Sequence, residues 1–122
     1  MTAMNSPAPT PLTPAQYQDE TEAVLAAVES QLDRWLEEDV VDVDAARTGG
    51  LLELSFPDRS KIVINTQPPL HELWLASRSG GYHFQFVDGV WRDTRDGQDF
   101  FAKLSACASE QAARPLVFTA RD

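Results

Sequence analysis

The chain has few residues suited to soft metals or to anions. Of its 122 residues, one is cysteine and two are histidine. Cys107 has no partner for an internal disulfide, which fits a reducing compartment, the cytoplasm. A single thiol also cannot build a zinc site. His71 and His83 stand in neither HxxxH nor HExxH spacing, so they read as structural or surface residues. No Gly-rich phosphate loop is present. No run of 18 apolar residues exists, which argues against a membrane partner. The opening "MTAMNSPAPTPLTP" has neither a basic start nor an apolar stretch, so it does not read as a signal or transit peptide. Its Pro, Ser, Thr and Ala content predicts a disordered tail over 1–14, ahead of one domain over 15–122.

Bases are scarce, ten against nineteen acids, and the net charge is −9. Its location is informative. Between Asp19 and Asp44 lie ten acids and one base, Arg34, so the whole excess is local. Phosphate would be repelled there, which argues against nucleic acid. A cation or a basic protein surface would be attracted.

Periodicity supplies the architecture. Thr13-Pro14 offers a helix start. From there to residue 37, Tyr17, Thr21, Val24, Val28, Leu32 and Trp35 recur at helical spacing. Asp19, Glu22, Glu29 and Asp33 fall on the opposite side, within an arc of roughly 80°. The period then becomes two. Val41, Val43 and Ala45 alternate with Asp42 and Asp44, and Leu52, Leu54 and Phe56 follow after "TGG". Ile62 and Ile64, then Leu73 and Leu75, then Tyr82, Phe84 and Phe86 continue the pattern, and Trp91 reads as an inward residue. A second helix is expected from about Gln98 to Ala112, with Asp96 as its cap. Tight turns make antiparallel neighbours. The fold class is therefore α+β, a two-layer sandwich with two helices packed on one face of a roughly six-stranded antiparallel sheet.

The other sheet face is left to water, and by phase it holds Trp74. Asn65, His83 and Gln85 are its expected neighbours.

No catalytic constellation stands out. The acidic band suits hard cations such as Fe(III), Ca, Mg or Mn. Its acids sit on a helix and a strand edge, so binding should be weak, exposed and mostly hydrated. With only Arg34 inside the band, ion pairs are not expected to satisfy it. Acids three and four apart on a helix repel by a few tenths of a kcal/mol per pair.

Several segments together are similar to a known family. The acidic helix, "GGLLELSF", "KIVINTQPPLHELWLAS", "SGGYHFQF" and "VW…D…DGQDFF" resemble bacterial frataxin of the CyaY type over about residues 15–119. The specific segment is N-x-Q-x-P-x-x-x-x-W-L-A, here Asn65, Gln67, Pro69, Trp74, Leu75 and Ala76. The resemblance implies the same two-layer fold and a non-enzymatic, regulatory role in iron–sulfur cluster assembly. It implies weak binding of iron, as Fe2+ or Fe3+, on an acidic ridge. The matching acids are Asp19, Glu22, Glu29, Asp33, Glu37, Glu38, Asp39, Asp42 and Asp44, with Arg34 expected to weaken the site beside Asp33. It implies docking of that ridge on a basic patch of the cysteine desulfurase. It also implies contact with the scaffold protein through the sheet face of Asn65, Gln67, Trp74, His83 and Gln85. Two alternatives are weighed against this. One is a ferroxidase or iron-storage protein, for which the Glu and Glu-x-x-His di-iron arrangement is missing. The other is an acidic interaction module indifferent to metal.

Overall fold

A computed structural model describes residues 8–120. The chain runs α1 (Pro14–Glu37), β1 (Asp44–Thr48), β2 (Leu51–Ser55), β3 (Lys61–Gln67), a 3-10 turn (Pro68–Leu70), β4 (Glu72–Ser77), β5 (Gly80–Val87), β6 (Val90–Asp93) and α2 (Phe100–Ala112). The six strands form one antiparallel sheet in sequence order, so every strand pairs with its chain neighbours. The two helices cover one face, as expected. Between them and the sheet lies one core, which includes Val28, Leu52, Leu54, Ile62, Ile64, Leu73, Leu75, Phe84, Phe100 and Leu104.

The helix start is fully capped. Thr13 Oγ1 accepts from Gln16 N at 3.1 Å, and Gln16 Oε1 accepts from Thr13 N at 2.9 Å. This reciprocal pair satisfies two otherwise orphaned donors, and Pro14 fits the first turn. The helix stops where Glu37, Glu38 and Asp39 meet the negative end of its dipole, and Asp39 turns left-handed at φ 58°.

Three expectations are corrected. Val41 and Val43 lie before β1, which begins at Asp44. Their alternation reflects packing, since Val43 is buried, but no ladder partner exists among the described residues: Asp44 already faces Ser55, the last residue of β2. Ala45 shares the covered face with its partner Leu54, yet stays exposed because β1 is an edge strand. The cap of α2 is Asp99, which accepts from Ala102 N at 3.0 Å, and not Asp96. An isolated bridge between Arg92 and Asp99 holds that residue extended, while Asp96 accepts from Gln98 N in the preceding loop.

Of the expected tail, residues 1–7 lie outside the described residues. Residues 8–13 do not behave as a free tail. Thr10 N donates to Phe86 O at 2.7 Å, its Oγ1 accepts from Asp88 N at 2.8 Å, and Leu12 packs against the core. The arm uses backbone of β5 that lies beyond its pairing with β4.

Tyr17 ties α1 to the sheet. Its hydroxyl donates to Glu72 O at 2.6 Å and accepts from Gln67 N at 2.9 Å, closing the Pro68–Leu70 turn between β3 and β4. Its ring stacks on His71 at 4.7 Å. Burial pushes the phenol pKa up, the Gln67 N–H works against this, and the Glu72 charge adds to it. The folded-state value therefore lies above the unfolded one. The stability it contributes is present below about pH 10 and lost as pH rises through the folded-state value. Tyr17→Phe should cost about 1–3 kcal/mol at pH 7, because two part-buried backbone groups lose their partner. It should also flatten the alkaline loss of stability. Urea unfolding at pH 7 and at about pH 10.5 tests both. An unchanged alkaline slope would remove Tyr17 as its source.

Candidate functional site: an acidic ridge and an aromatic patch on separate faces

The described part of the predicted ridge runs along the outer side of α1 and through the joint to β1. Asp19, Glu22, Asp33, Glu37, Glu38, Asp39, Asp42 and Asp44 are exposed, and Glu29 is half-buried. They do not form one cluster. Among the described residues, no group of three or more His, Cys, Asp or Glu is placed to hold a metal ion. Asp44 departs from the helix face, since it pairs with Ser55 and so shares the open side of the sheet.

The expectation that ion pairs leave the band unsatisfied is corrected in its middle. Arg47, on β1, donates Nη1 to Glu29 Oε1 at 2.9 Å and Nη2 to Glu22 Oε1. These are the ridge's ion pairs among the described residues. The hydrogen bond to Glu22 holds the guanidinium above its ordinary pKa, against the opposing effect of burial. Arg34 donates Nη2 to Gln31 Oε1 at 2.8 Å. Arg114 Nη1 donates to Val40 O and fastens the acidic joint to the C-terminal segment. The donor set of the ridge is hard carboxylate oxygen in open water. It fits a hydrated hard cation held weakly, and offers no enclosing cage.

The aromatic patch lies on the uncovered face. Register places Asn65, Trp74 and His83 in one row and Gln67, Glu72 and Gln85 in the next. Trp74 stacks on His83 with ring centroids 4.0 Å apart and planes 5° from parallel. Its Nε1 donates to Glu72 Oε1 at 2.8 Å, and Gln85 Nε2 donates to Glu72 Oε2 at 3.1 Å. His83 Nδ1 stands 3.8 Å from Glu72 Oε1, the oxygen that accepts from the indole. The five residues expected at a partner surface, Asn65, Gln67, Trp74, His83 and Gln85, thus fall in these two adjacent rows, and Glu72 joins Trp74 and Gln85. Gln67 faces Glu72 from the other side, and its backbone N–H is spent on Tyr17.

Glu72 was not expected to organise this face. Its side chain is only 14% exposed. The available signal was its position two residues before Trp74, which puts both on one side of a strand. The indole is therefore partly covered and held in one orientation. Beside it lies a shallow depression of about 190 Å³, floored by Val63, Ala76 and Gly81. A fixed aromatic edge above a small apolar hollow, with amides around it, suits a protein contact.

A frataxin-like domain model matches residues 10–114. The chain is 48% identical over 109 residues to an iron–sulfur cluster assembly protein CyaY from Paracidovorax citrulli, covering 89% of this chain and 99% of that one. The chain belongs to the frataxin family. A CyaY from Burkholderia mallei is 49% identical over 104 residues, 85% of this chain and 95% of the relative. Among solved structures, frataxin from Psychromonas ingrahamii superposes with a TM-score of 0.78 at 32% identity, covering 88% of this chain and 99% of that one. A trimeric yeast frataxin from Saccharomyces cerevisiae, complexed with ferrous iron, gives 0.66 at 25% identity, with 91% and 96% covered. The two helices on a six-stranded antiparallel sheet are thus the family's fold. No helix among the described residues is long and apolar enough to cross a membrane.

Proposed function

We propose that this frataxin-family protein is a non-catalytic, iron-binding regulator of iron–sulfur cluster assembly in the cytoplasm. The carrying observation is the separation of two unlike surfaces: an acidic ridge along α1 and an ordered Trp74–His83–Glu72 patch on the opposite side of the sheet. Iron is held weakly by ridge carboxylates drawn from Asp19, Glu22, Glu29, Asp33, Glu37, Glu38, Asp39, Asp42 and Asp44. The same ridge docks on a basic patch of the cysteine desulfurase, and the patch of Asn65, Gln67, Trp74, His83 and Gln85 meets the scaffold protein. The relatives named CyaY and the ferrous-bound yeast frataxin support iron and cluster assembly as the setting.

The test is desulfurase turnover with this protein added, with and without ferrous iron, at low and high salt. Turnover should change on addition, the change should grow with iron, and it should fade with salt because the docking surface is charged. Turnover that ignores the protein under every condition would overturn the proposal. A change that is identical with and without iron would leave a metal-independent interaction module in its place.

A further inference from the structure

The uncovered face of the sheet is divided in charge. By register it carries Asp44 and Glu53 toward β1 and β2, and Arg92 on β6. The row of Asn65, Trp74 and His83 runs on past the end of β6. Thr94 N donates to His83 O at 2.9 Å, which sets Thr94 beside His83 on the side away from Trp74. There a hollow of about 280 Å³ is lined by Gly81, His83, Thr94 and Arg95. No acid among the described residues lines it, although the chain's net charge is −9. The acids nearest in sequence are engaged elsewhere. Asp93 points to the helix side, where its Oδ1 accepts from Arg95 N and its Oδ2 lies 3.4 Å from Lys103 Nζ. Asp96 accepts from Gln98 N and from Lys103 Nζ, and feels the Arg95 charge only through space. Arg95 Nη2 donates to Gly81 O at 2.7 Å, where β5 runs beyond β6, and the guanidinium lies 5.6 Å from the centre of the Tyr82 ring. These contacts fix the guanidinium at the rim. No carboxylate among the described residues pairs with it, so most of its five N–H groups remain available.

We propose that this hollow is a carboxylate subsite: it takes an Asp or Glu side chain of the protein that covers Trp74, with Arg95 as the main donor and Thr94 and His83 beside it. This rests on the proposed role of the Trp74 face and adds the chemistry of the partner there, an apolar residue close to an acid. Gly81 lines both this hollow and the apolar depression next to Trp74, so the two adjoin. A guanidinium presents paired N–H groups that match the two oxygens of a carboxylate. The surroundings favour a carboxylate carried by a protein over a free anion. A free anion gains nothing from the apolar depression and meets the repulsion of a chain at −9. A carboxylate on a docked protein is delivered by the contact beside it at high local concentration. The two faces of the molecule therefore select opposite charges. The ridge attracts bases, whereas a partner that presents Lys or Arg at this hollow is rejected.

Calorimetry of the full chain with the assembled desulfurase and scaffold, at low and high salt, tests this. Arg95→Gln keeps a donor for Gly81 O and removes the charge. Its affinity should fall about tenfold at low salt and less at high salt, because the lost interaction is between charges. Arg95→Lys should recover part of the loss. Thr94→Asp places a carboxylate of the chain's own in the hollow and gives Arg95 an internal partner. It should weaken binding at least as much, with a melting temperature no lower than that of the unmodified protein. Should Arg95→Gln fold poorly, Thr94→Asp decides alone. Trp74→Ala is the reference. If it weakens binding while the hollow variants bind normally, the subsite is overturned and the Trp74 face stands. If Trp74→Ala and the hollow variants all bind normally, the role of the face falls as well. A loss in the hollow variants that ignores salt would mark a change of shape, and would also overturn the subsite.

Discussion

Trp91→Ala is expected to remove about 3–5 kcal/mol of folding stability. Trp91 is 4% exposed and meets Tyr17 edge-on at 6.1 Å and Phe86 at 5.2 Å. Truncation deletes a large apolar surface and opens a cavity under the N-terminal half of α1, where Tyr17 makes its clamp. At about 4–8 °C per kcal/mol for a domain of this size, melting should fall by well over 10 °C. Trp91→Phe should cost much less. The indole Nε1 is buried with no acceptor among the described residues, so that variant loses volume but no hydrogen bond. Thermal melting of both variants checks the pair. Equal losses for Ala and Phe would mean that the nitrogen has a role the packing does not show.

Trp74→Ala is expected to do the reverse. The indole is partly buried, outside the core, and its contacts are the His83 ring and one bond to Glu72. The fold should melt close to its usual temperature, and the ridge should bind lanthanum as before. Affinity for the assembled desulfurase and scaffold should fall by about 2 kcal/mol, close to thirtyfold, as for a central aromatic anchor. That loss should persist at high salt, because it comes from buried apolar contact. Calorimetry at two salt concentrations, beside a melting curve, separates the effects. A Trp74→Ala protein that melts like Trp91→Ala would place the indole in the core and end its candidacy as a contact.

The strand alternation that placed these two tryptophans on opposite sides was legible because it is local. Leu52 and Leu54, Ile62 and Ile64, and Leu73 and Leu75 each announce a covered face within a few residues. The N-terminus of α1 was legible for the same reason, through Thr13 and Pro14. What escaped sequence reading depends on partners distant in the chain. Val41 and Val43 carry strand-like alternation, yet a ladder needs a second strand, and β2 ends too soon to supply it. Arg47 lies three residues beyond the acidic window, but 18 and 25 residues from the acids it holds. No periodicity marks such a contact; only the docking of an edge strand beside the helix creates it. Glu72 was visible as a neighbour of Trp74 by phase, but its bond to the indole required the rotamers of both side chains. The ridge acids themselves were legible as a charge run, whereas their division into paired and unpaired members was not.

The strand order has a consequence for how the chain comes into being. Each strand pairs only with those before and after it, so every hairpin can form as soon as its own residues are available. Such topology keeps loop-closure costs small and favours rapid sheet assembly. The covering layer is divided differently, with α1 at the beginning of the chain and α2 at the end. During synthesis, α1 emerges with nothing to lie against, and the finished sheet waits with half its oily side bare until Phe100, Phe101 and Leu104 leave the ribosome. A chain stopped short of α2 would hold a complete ladder with an uncovered flank, the kind of surface that chaperones hold and other nascent chains adhere to.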